Sequence, residues 1–483
     1  MSRLLRLLTG LLLVLAMAAV AVPLAIHLVP GVVAAMNPAP PAPPPVTPAA
    51  QVPPTAVAVP DVVRPLPATA PAPDPAVLGA DLDAALGFPG AGTFAGTVVD
   101  AADGRVLYAR DATRLQPPAS NIKLVTAVAA MTYVPPTRTL VTSVLTTESA
   151  PGALYLRGGG DVLLGSGPSD PHSVVGRAGL ATLAAETADA LPEASGPYAV
   201  YLDDTFFAGA TLNPTWADGD VEAGEIAPVH ALAINSAWLE EGRAGGPRSQ
   251  DAALDAARIF ATALGSAAAE RGITVIPEVE RQAAPGTAAA VATVESAPVG
   301  EQVRRMLEIS DNYLAEALAR IAAVESGRPA SFGGATEALT AAALRLGVPE
   351  EGLLVGDAAG LSVRNAMSPE QLAILLRGTT TSVEPGLAGV ADSLPIAGLT
   401  GTLADRFTPD ADADAGAAAG GAGTVRAKTG TLNAVTGLTG HVVTADGRLL
   451  VFSFLAAGLD GTTSEARAAA DRAAAVLAGC GCR

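Results

Sequence analysis

Apolar positions divide this chain into three stretches of different character. From Leu7 to Ile26 they run almost unbroken, from Pro38 to Pro75 proline and alanine replace any periodicity, and from about Ala76 short alternating runs and helical periods take over. The third stretch is where a folded core is expected to begin. Phe94–Arg110 reads as a hairpin around Ala102-Asp103-Gly104, because Asp-Gly between β-prone runs is a strong turn signal. A helix is predicted from about Ser120 to Tyr133, stopped by Pro135-Pro136. Residues 138–294 mix short strands (Leu140–Leu145, Val200–Leu202), Gly-rich loops such as Arg157–Asp161, and one Ala-rich helix, Asp251–Arg271. A helical block over Glu301–Glu325 breaks at Ser310-Asp311-Asn312, and further helices are predicted at Gly334–Leu346 and Ser368–Leu376. The C-terminal part predicts strands at Val425–Leu432, Gly440–Thr444 and Arg448–Leu455, an Asp446-Gly447 turn, and a helix over Ser464–Leu477. Strands around an Asp-Gly turn followed by an amphipathic helix suit an antiparallel sheet with helices against it. Asp410–Gly423 reads as a low-complexity surface loop.

The first stretch, Met1–Ala35, has the layout of an export signal. Arg3 and Arg6 precede the apolar run, and no Asp, Glu or Lys occurs before Asp61. The run is also long enough to remain as a membrane anchor, since roughly 20 apolar residues span a bilayer. In either case the positive-inside rule places the rest outside the cytoplasm. The Pro/Ala-rich stretch that follows is expected to be a semi-rigid, extended tether.

Charge and cysteine usage narrow the function. A net charge of −18 without any basic stripe argues against nucleic acid as a partner. Two cysteines in the tail, Cys480 and Cys482, and four scattered histidines (His27, His172, His230, His441) offer no metal-ligand spacing, so no metal or cofactor is expected. His230 and His441 read as packing or surface residues, and the cysteines as a tail pair without catalytic consequence. Lysine usage points more sharply. Only two lysines, Lys123 and Lys428, stand against 27 arginines. A position that keeps lysine needs what arginine lacks, a side chain able to release its proton or a compact point charge.

Both lysines sit in short motifs with chemical potential. In Ser120-x-x-Lys123 the amine lies three residues from the hydroxyl, within helical reach, and could act as the base a serine nucleophile requires. Alone, the tetrapeptide reads equally as an N-cap serine with a surface lysine. Ser310-Asp311-Asn312 offers a proton-relaying hydroxyl and a peptide-gripping amide, or simply a capping turn. Lys428-Thr429-Gly430-Thr431, on a predicted strand, could bind a carboxylate through Lys428, Thr429 and Thr431 while Gly430 admits a substrate backbone, or be an ordinary charged edge strand. Three such motifs in this order, holding both lysines, form the set known from penicillin-binding proteins and serine β-lactamases.

On these residues the chain resembles the class C low-molecular-mass penicillin-binding proteins, serine D-alanyl-D-alanine carboxypeptidase/endopeptidases. The likeness extends through Pro118–Leu124, Gly159-Gly160-Asp161, Leu394–Phe407 and Arg426–Leu432. Serine β-lactamases place the first two motifs far closer together, so residues 138–294 fit the insertion that marks this class. The resemblance implies an α/β (α+β) fold, a penicillin-recognising transpeptidase-like domain with an antiparallel sheet flanked by helices and a β-rich insertion between the first and second motifs. It divides the chain into a signal peptide or anchor (1–36), a linker (37–76), a catalytic domain (77–137 with 295–483) and the insertion (138–294). It implies Ser120, Lys123, Ser310, Asn312 and Lys428 as catalytic residues, with Thr429, Gly430, Thr431 and Asp203 toward substrate. Asp203 enters through Asp203-Asp204-Thr205-Phe206-Phe207, a match to the family's Asp-x-Ser/Thr-x-Phe, and would meet an amino group of a stem peptide. Implied partners are peptidoglycan stem peptides and β-lactams as covalent inhibitors. One departure stands out: Asp357-Ala-Ala-Gly-Leu-Ser-Val-Arg364 replaces the family's Asp-Gly-Ser-Gly-Leu-Ser-Arg, touching the side-chain subsite rather than acylation. A β-lactamase or esterase on the same scaffold, or a non-catalytic wall-binding protein, are the alternative functions.

Overall fold

Alternation along the C-terminal strands organises the structure, a computed structural model that describes residues 10–19, 22, 66–67, 69–408 and 419–481. Most of the expected leader, the tether up to residue 65 and most of the Asp410–Gly423 loop lie outside these residues. No helix among the described residues is long and apolar enough to cross a membrane. Residues 66–483 form one unit. It reaches further back than composition implied: Ala70 is buried and its carbonyl accepts from Arg448 (3.2 Å).

In chain order the unit contains α1 (Pro75–Ala85), β1 (Thr93–Asp100), β2 (Val106–Arg110), α2 (Lys123–Tyr133), β3 (Val141–Thr147), β4 (Ala150–Arg157), α3 (Leu180–Ala190) and β5 (Tyr198–Asp203). Then follow α4 (Ala252–Ala269), β6 (Val275–Arg281), β7 (Ala289–Glu295), α5 (Val299–Ile309), α6 (Asn312–Glu325), α7 (Phe332–Arg345), α8 (Pro369–Thr380) and α9 (Pro385–Asp392). The chain closes with β8 (Arg426–Leu432), β9 (Val435–Val443), β10 (Leu449–Ala457) and α10 (Thr463–Gly479). Helix starts follow local chemistry. Asp74 caps α1 through the amides of Ala76 and Val77 with Pro75 at the first position, and Ser368 with Gln371 forms a capping box on α8.

The first sheet is antiparallel throughout, in the order β2-β1-β10-β9-β8. Its central strand β10 reads as a continuous apolar run because both faces are covered. Leu450, Phe452, Phe454 and Ala456 pack with α1 and α10, whereas Val451 and Leu455 face the helical layer that holds α2, α6 and α8. The hairpin and the helices read from the sequence are present within a few residues of their predicted ends.

The region 138–294 differs from expectation. Rather than being largely β, it is a mixed sheet, β6-β5-β4-β3-β7, with α3 and α4 buried against it. β4, β5 and β6 run parallel, which demands crossover connections, and the two helices supply them. Helix α3 and strands β4, β6 and β7 escaped the sequence reading for a physical reason. Alanine fills both faces of α3 and β7 and flattens their periodicity, while Pro277 sits in β6, permitted there because β6 is an edge strand.

Replacing Phe452, fully buried and stacked on Phe454 at 5.3 Å, by alanine is expected to remove about 3–5 kcal/mol of stability. A urea titration followed by circular dichroism measures it. Val383→Ser, at a side chain 95% exposed, should stay within about 0.5 kcal/mol of the native chain.

Candidate active site

Ser120 lies in a 3₁₀ turn, Ala119–Ile122, and α2 begins only at Lys123. The sequence predicted an α-helix through both residues. The tighter turn serves the pair better, because side chains at i and i+3 of a 3₁₀ helix eclipse. Lys123 Nζ stands 2.9 Å from Ser120 Oγ. Ala119 enters the turn with φ 48°, a left-handed conformation that costs an alanine about 1–3 kcal/mol and persists only where its surroundings enforce it. They do so here. Gly360 packs so closely that a Cβ on it would stand 2.2 Å from the Ala119 carbonyl, and Asn121, fully buried, donates to Pro118 O (2.9 Å).

Lys123 is fully buried. Its Nζ donates to Asn312 Oδ1 (2.6 Å) and to the Ala359 carbonyl (2.5 Å) as well as to Ser120. Burial pushes its pKa down to about 8, against the opposing pull of Asp357, Asp311, Glu316 and Glu225. Ser120 stays partly exposed, whereas the amine beneath it is buried.

The second motif occupies the break between α5 and α6, and the capping reading of it holds. Asp311 is the capping residue: its carboxylate accepts from the amides of Tyr313 (3.0 Å) and Leu314 (3.3 Å) and from the Ser236 hydroxyl. Ser310, left-handed at φ 59°, and Asn312 flank it. Ser310 Oγ accepts from Lys428 Nζ (3.0 Å), and Asn312 Nδ2 donates to Glu225 O (3.0 Å). Lys428, on edge strand β8, is fully buried, and burial followed by the charges of Lys123 and Arg406 drives its pKa well below the ordinary lysine value. Five predicted residues, Ser120, Lys123, Ser310, Asn312 and Lys428, thus come together from three distant segments in two hydrogen-bonded groups, Ser120–Lys123–Asn312 and Ser310–Lys428. Thr429 and Thr431 alternate to the other side of β8 from Lys428. Thr429 donates to the Thr402 hydroxyl (2.9 Å) and Thr431 is exposed.

Two predicted substrate residues are placed differently. A Cβ on Gly430 would meet Asn121 Nδ2 at 2.6 Å and Pro118 O at 2.9 Å, and its cross-strand partner Gly437 is closed to a Cβ by the same Asn121 amide. Gly430 therefore lets the Ser120 turn lie flat on the sheet, and that turn fills the side of β8 on which a Cβ at Gly430 would stand. The side chain of Asp203 is wholly inaccessible. It accepts from Arg157 Nε (2.8 Å), Thr205 Oγ1 (2.6 Å) and the amides of Thr205 (3.2 Å) and Ala284 (3.0 Å), so its oxygens already have donors. Its neighbour Asp204, with His230, Asp251 and Arg281, lines a cavity of about 520 Å³ instead.

The sequence reading missed the residues that surround Lys123. Asp357 accepts from the amides of Gly360, Leu361 and Ser362, from Asn365 Nδ2 (2.7 Å) and from Trp216 Nε1 (2.8 Å), fixing the 357–365 loop over the nucleophile turn. The only advance signal was the position of Asp357 at the head of a Gly-containing segment.

Compared with known proteins, the chain matches the "D-Ala-D-Ala carboxypeptidase 3 (S13) family" over residues 78–244 and 240–478. It is similar to Carboxypeptidase DacB of Mycolicibacterium smegmatis, 35% identical over 446 residues that cover 92% of this chain and 90% of that protein. Carboxypeptidase Rv3627c of Mycobacterium tuberculosis is 34% identical over 423 residues, 87% of each chain. In fold it is similar to penicillin binding protein 4 (dacB) from Haemophilus influenzae, with TM-score 0.63, 20% identity, and coverage of 82% of this chain and 98% of that one. That protein has also been solved complexed with a β-lactam. The family match spans nearly the whole folded unit, and the chain belongs to the D-Ala-D-Ala carboxypeptidase 3 (S13) family.

Proposed function

We propose that this chain is a serine peptidase that cleaves the D-Ala–D-Ala bond of peptidoglycan stem peptides, and related D-amino-acid cross-links, through an acyl-enzyme on Ser120. It would act outside the cytoplasm, where peptidoglycan lies. One observation carries the reading: a fully buried lysine amine, with a pKa pushed down to about 8, stands 2.9 Å from the hydroxyl of a partly exposed serine. An amine that yields its proton near neutrality can take one from Ser120, and arginine cannot replace it.

We propose the remaining steps for the same site. Ser120 Oγ attacks the carbonyl of the penultimate D-alanine as Lys123 accepts its proton. The backbone amides of Ser120 and Thr431 hold the oxyanion that forms. Ser310, bonded to Lys428, gives its proton to the departing D-alanine nitrogen and regains one, the proton that Lys123 took from Ser120. The hydroxyls of Thr429 and Thr431 receive the terminal carboxylate, and Lys428 adds positive charge from the other side of β8. Before substrate arrives, two buried amines side by side disfavour a second positive charge, and an incoming carboxylate restores it on Lys428. Asn312 orients the substrate amide. Water then releases the acyl group. A β-lactam presents the same carbonyl and carboxylate, and its ester on Ser120 should be long-lived.

Fluorescent penicillin should label the native chain, with mass spectrometry placing the adduct at Ser120. Labelling undiminished in Ser120→Ala would sink the assignment. Lys123→Arg should acylate nearly as poorly as Lys123→Ala, since it keeps charge but not basicity.

The reactive form carries neutral Lys123, so acylation by penicillin should quicken as pH rises through about 8 and then level off. A rate independent of pH across that interval would place the base elsewhere.

A further inference from the structure

Glu316 takes no part in those steps, yet it is only 1% exposed and sits directly behind the reacting pair. It follows Asn312 by one turn of α6, so the two side chains leave the same face of the helix. Asn312 grips Lys123 directly. Glu316 grips the segment on which Lys123 leans: its Oε1 accepts from the amides of Ala358 (2.7 Å) and Ala359 (3.0 Å). The Ala359 carbonyl accepts from Lys123 Nζ (2.5 Å) and Ser120 Oγ (3.4 Å). Thr126, on α2, pins the adjacent Ala358 carbonyl at 2.8 Å. The second oxygen of Glu316 has no hydrogen-bond partner among the described residues. A carboxylate kept merely to bind two amides would not need that second, unpaired oxygen in the interior.

We infer that Glu316 is a positioning residue for acylation: through the Ala358 and Ala359 amides it sets the Ala359 carbonyl against the Lys123–Ser120 pair, and its charge governs how readily Lys123 releases its proton. The inference rests on Ser120 as nucleophile and Lys123 as base.

The groups that act on Glu316 are Asp357, from the loop, and Arg320, one turn further along α6; Lys123 feels Asp357, Asp311, Glu316 and Glu225. Burial, helped by Asp357, raises the Glu316 carboxyl to about 8, the interval in which Lys123 titrates. The sign is fixed by charge. An ionised Glu316 stabilises the Lys123 ammonium and raises its pKa, so removing that charge lets Lys123 become neutral at lower pH.

The test uses the full chain, fluorescent penicillin as probe, and acylation rates followed against pH for native, Glu316→Gln and Glu316→Ala proteins, with a melting curve for each. Glutamine keeps an acceptor for both amides but cannot ionise. Its plateau rate should stay near native while the rising limb moves to lower pH. Alanine releases the loop, and its plateau should fall at least about tenfold, set against the about hundredfold that a misplacement of about 1 Å can cost. A rising limb unmoved in Glu316→Gln would overturn the charge coupling. A native plateau in folded Glu316→Ala would overturn the positioning role. Should alanine abolish the melting transition, the limb in Glu316→Gln decides. Absence of the adduct from Ser120 in the native chain would overturn the nucleophile assignment itself, and with it the role given to Glu316.

Discussion

Taking the Lys123 amine out of water is the constraint on which the rest of the site depends. Moving an ammonium into a protein interior costs several kcal/mol even after relaxation. The structure limits that cost without cancelling it. Two oxygens, Asn312 Oδ1 and Ala359 O, accept from Nζ at 2.6 and 2.5 Å, and Asp357, Asp311, Glu316 and Glu225 contribute negative potential. Too little compensation would empty the site of its proton or unfold it, and a close ion pair would lock the proton on. Among the described residues no carboxylate is hydrogen-bonded to Nζ, which leaves its proton releasable.

The same requirement explains the strained backbone around the nucleophile. A hydroxyl must reach solvent while the amine three residues later stays dry, and a 3₁₀ turn begun by left-handed Ala119 achieves this over one short segment. Strain of that kind survives only against a rigid support. The Gly430–Gly437 pair on β8 and β9 supplies it, since each glycine leaves room for the Asn121 amide. The sheet beneath is stiff because apolar side chains cover β10 on both faces.

Lys428 completes the electrostatics from the opposite side. It reaches Ser310 from β8, which is an edge strand of its sheet among the described residues. Cations on two elements and a left-handed serine between two helices thus converge on one opening. Asp203, by contrast, spends its carboxylate on joining β4, β5 and the segment at Ala284, so its contribution is to hold the mixed sheet together.

Much of this was legible in the chain. The two lysines, the order of the three motifs and the turn residues Asp103-Gly104 and Asp446-Gly447 identified the chemistry and most of the first sheet, because chemical identity and local backbone preference are written residue by residue. Spacing in sequence could not say which side chains end in the interior. Asp203 was read as a free carboxylate and Gly430 as an opening for substrate, and packing reversed both, since burial depends on what a distant segment places opposite. Glu316 carried no signal of its own, and Asp357 only its place at the head of a Gly-containing segment: an acid on a helix and an acid at a loop head are ordinary until the fold sets them around one amine. Residue identity determined what reaction this protein could attempt. Only tertiary structure decided that the lysine would be dry enough to attempt it, because desolvation is a property of the surroundings and not of the residue.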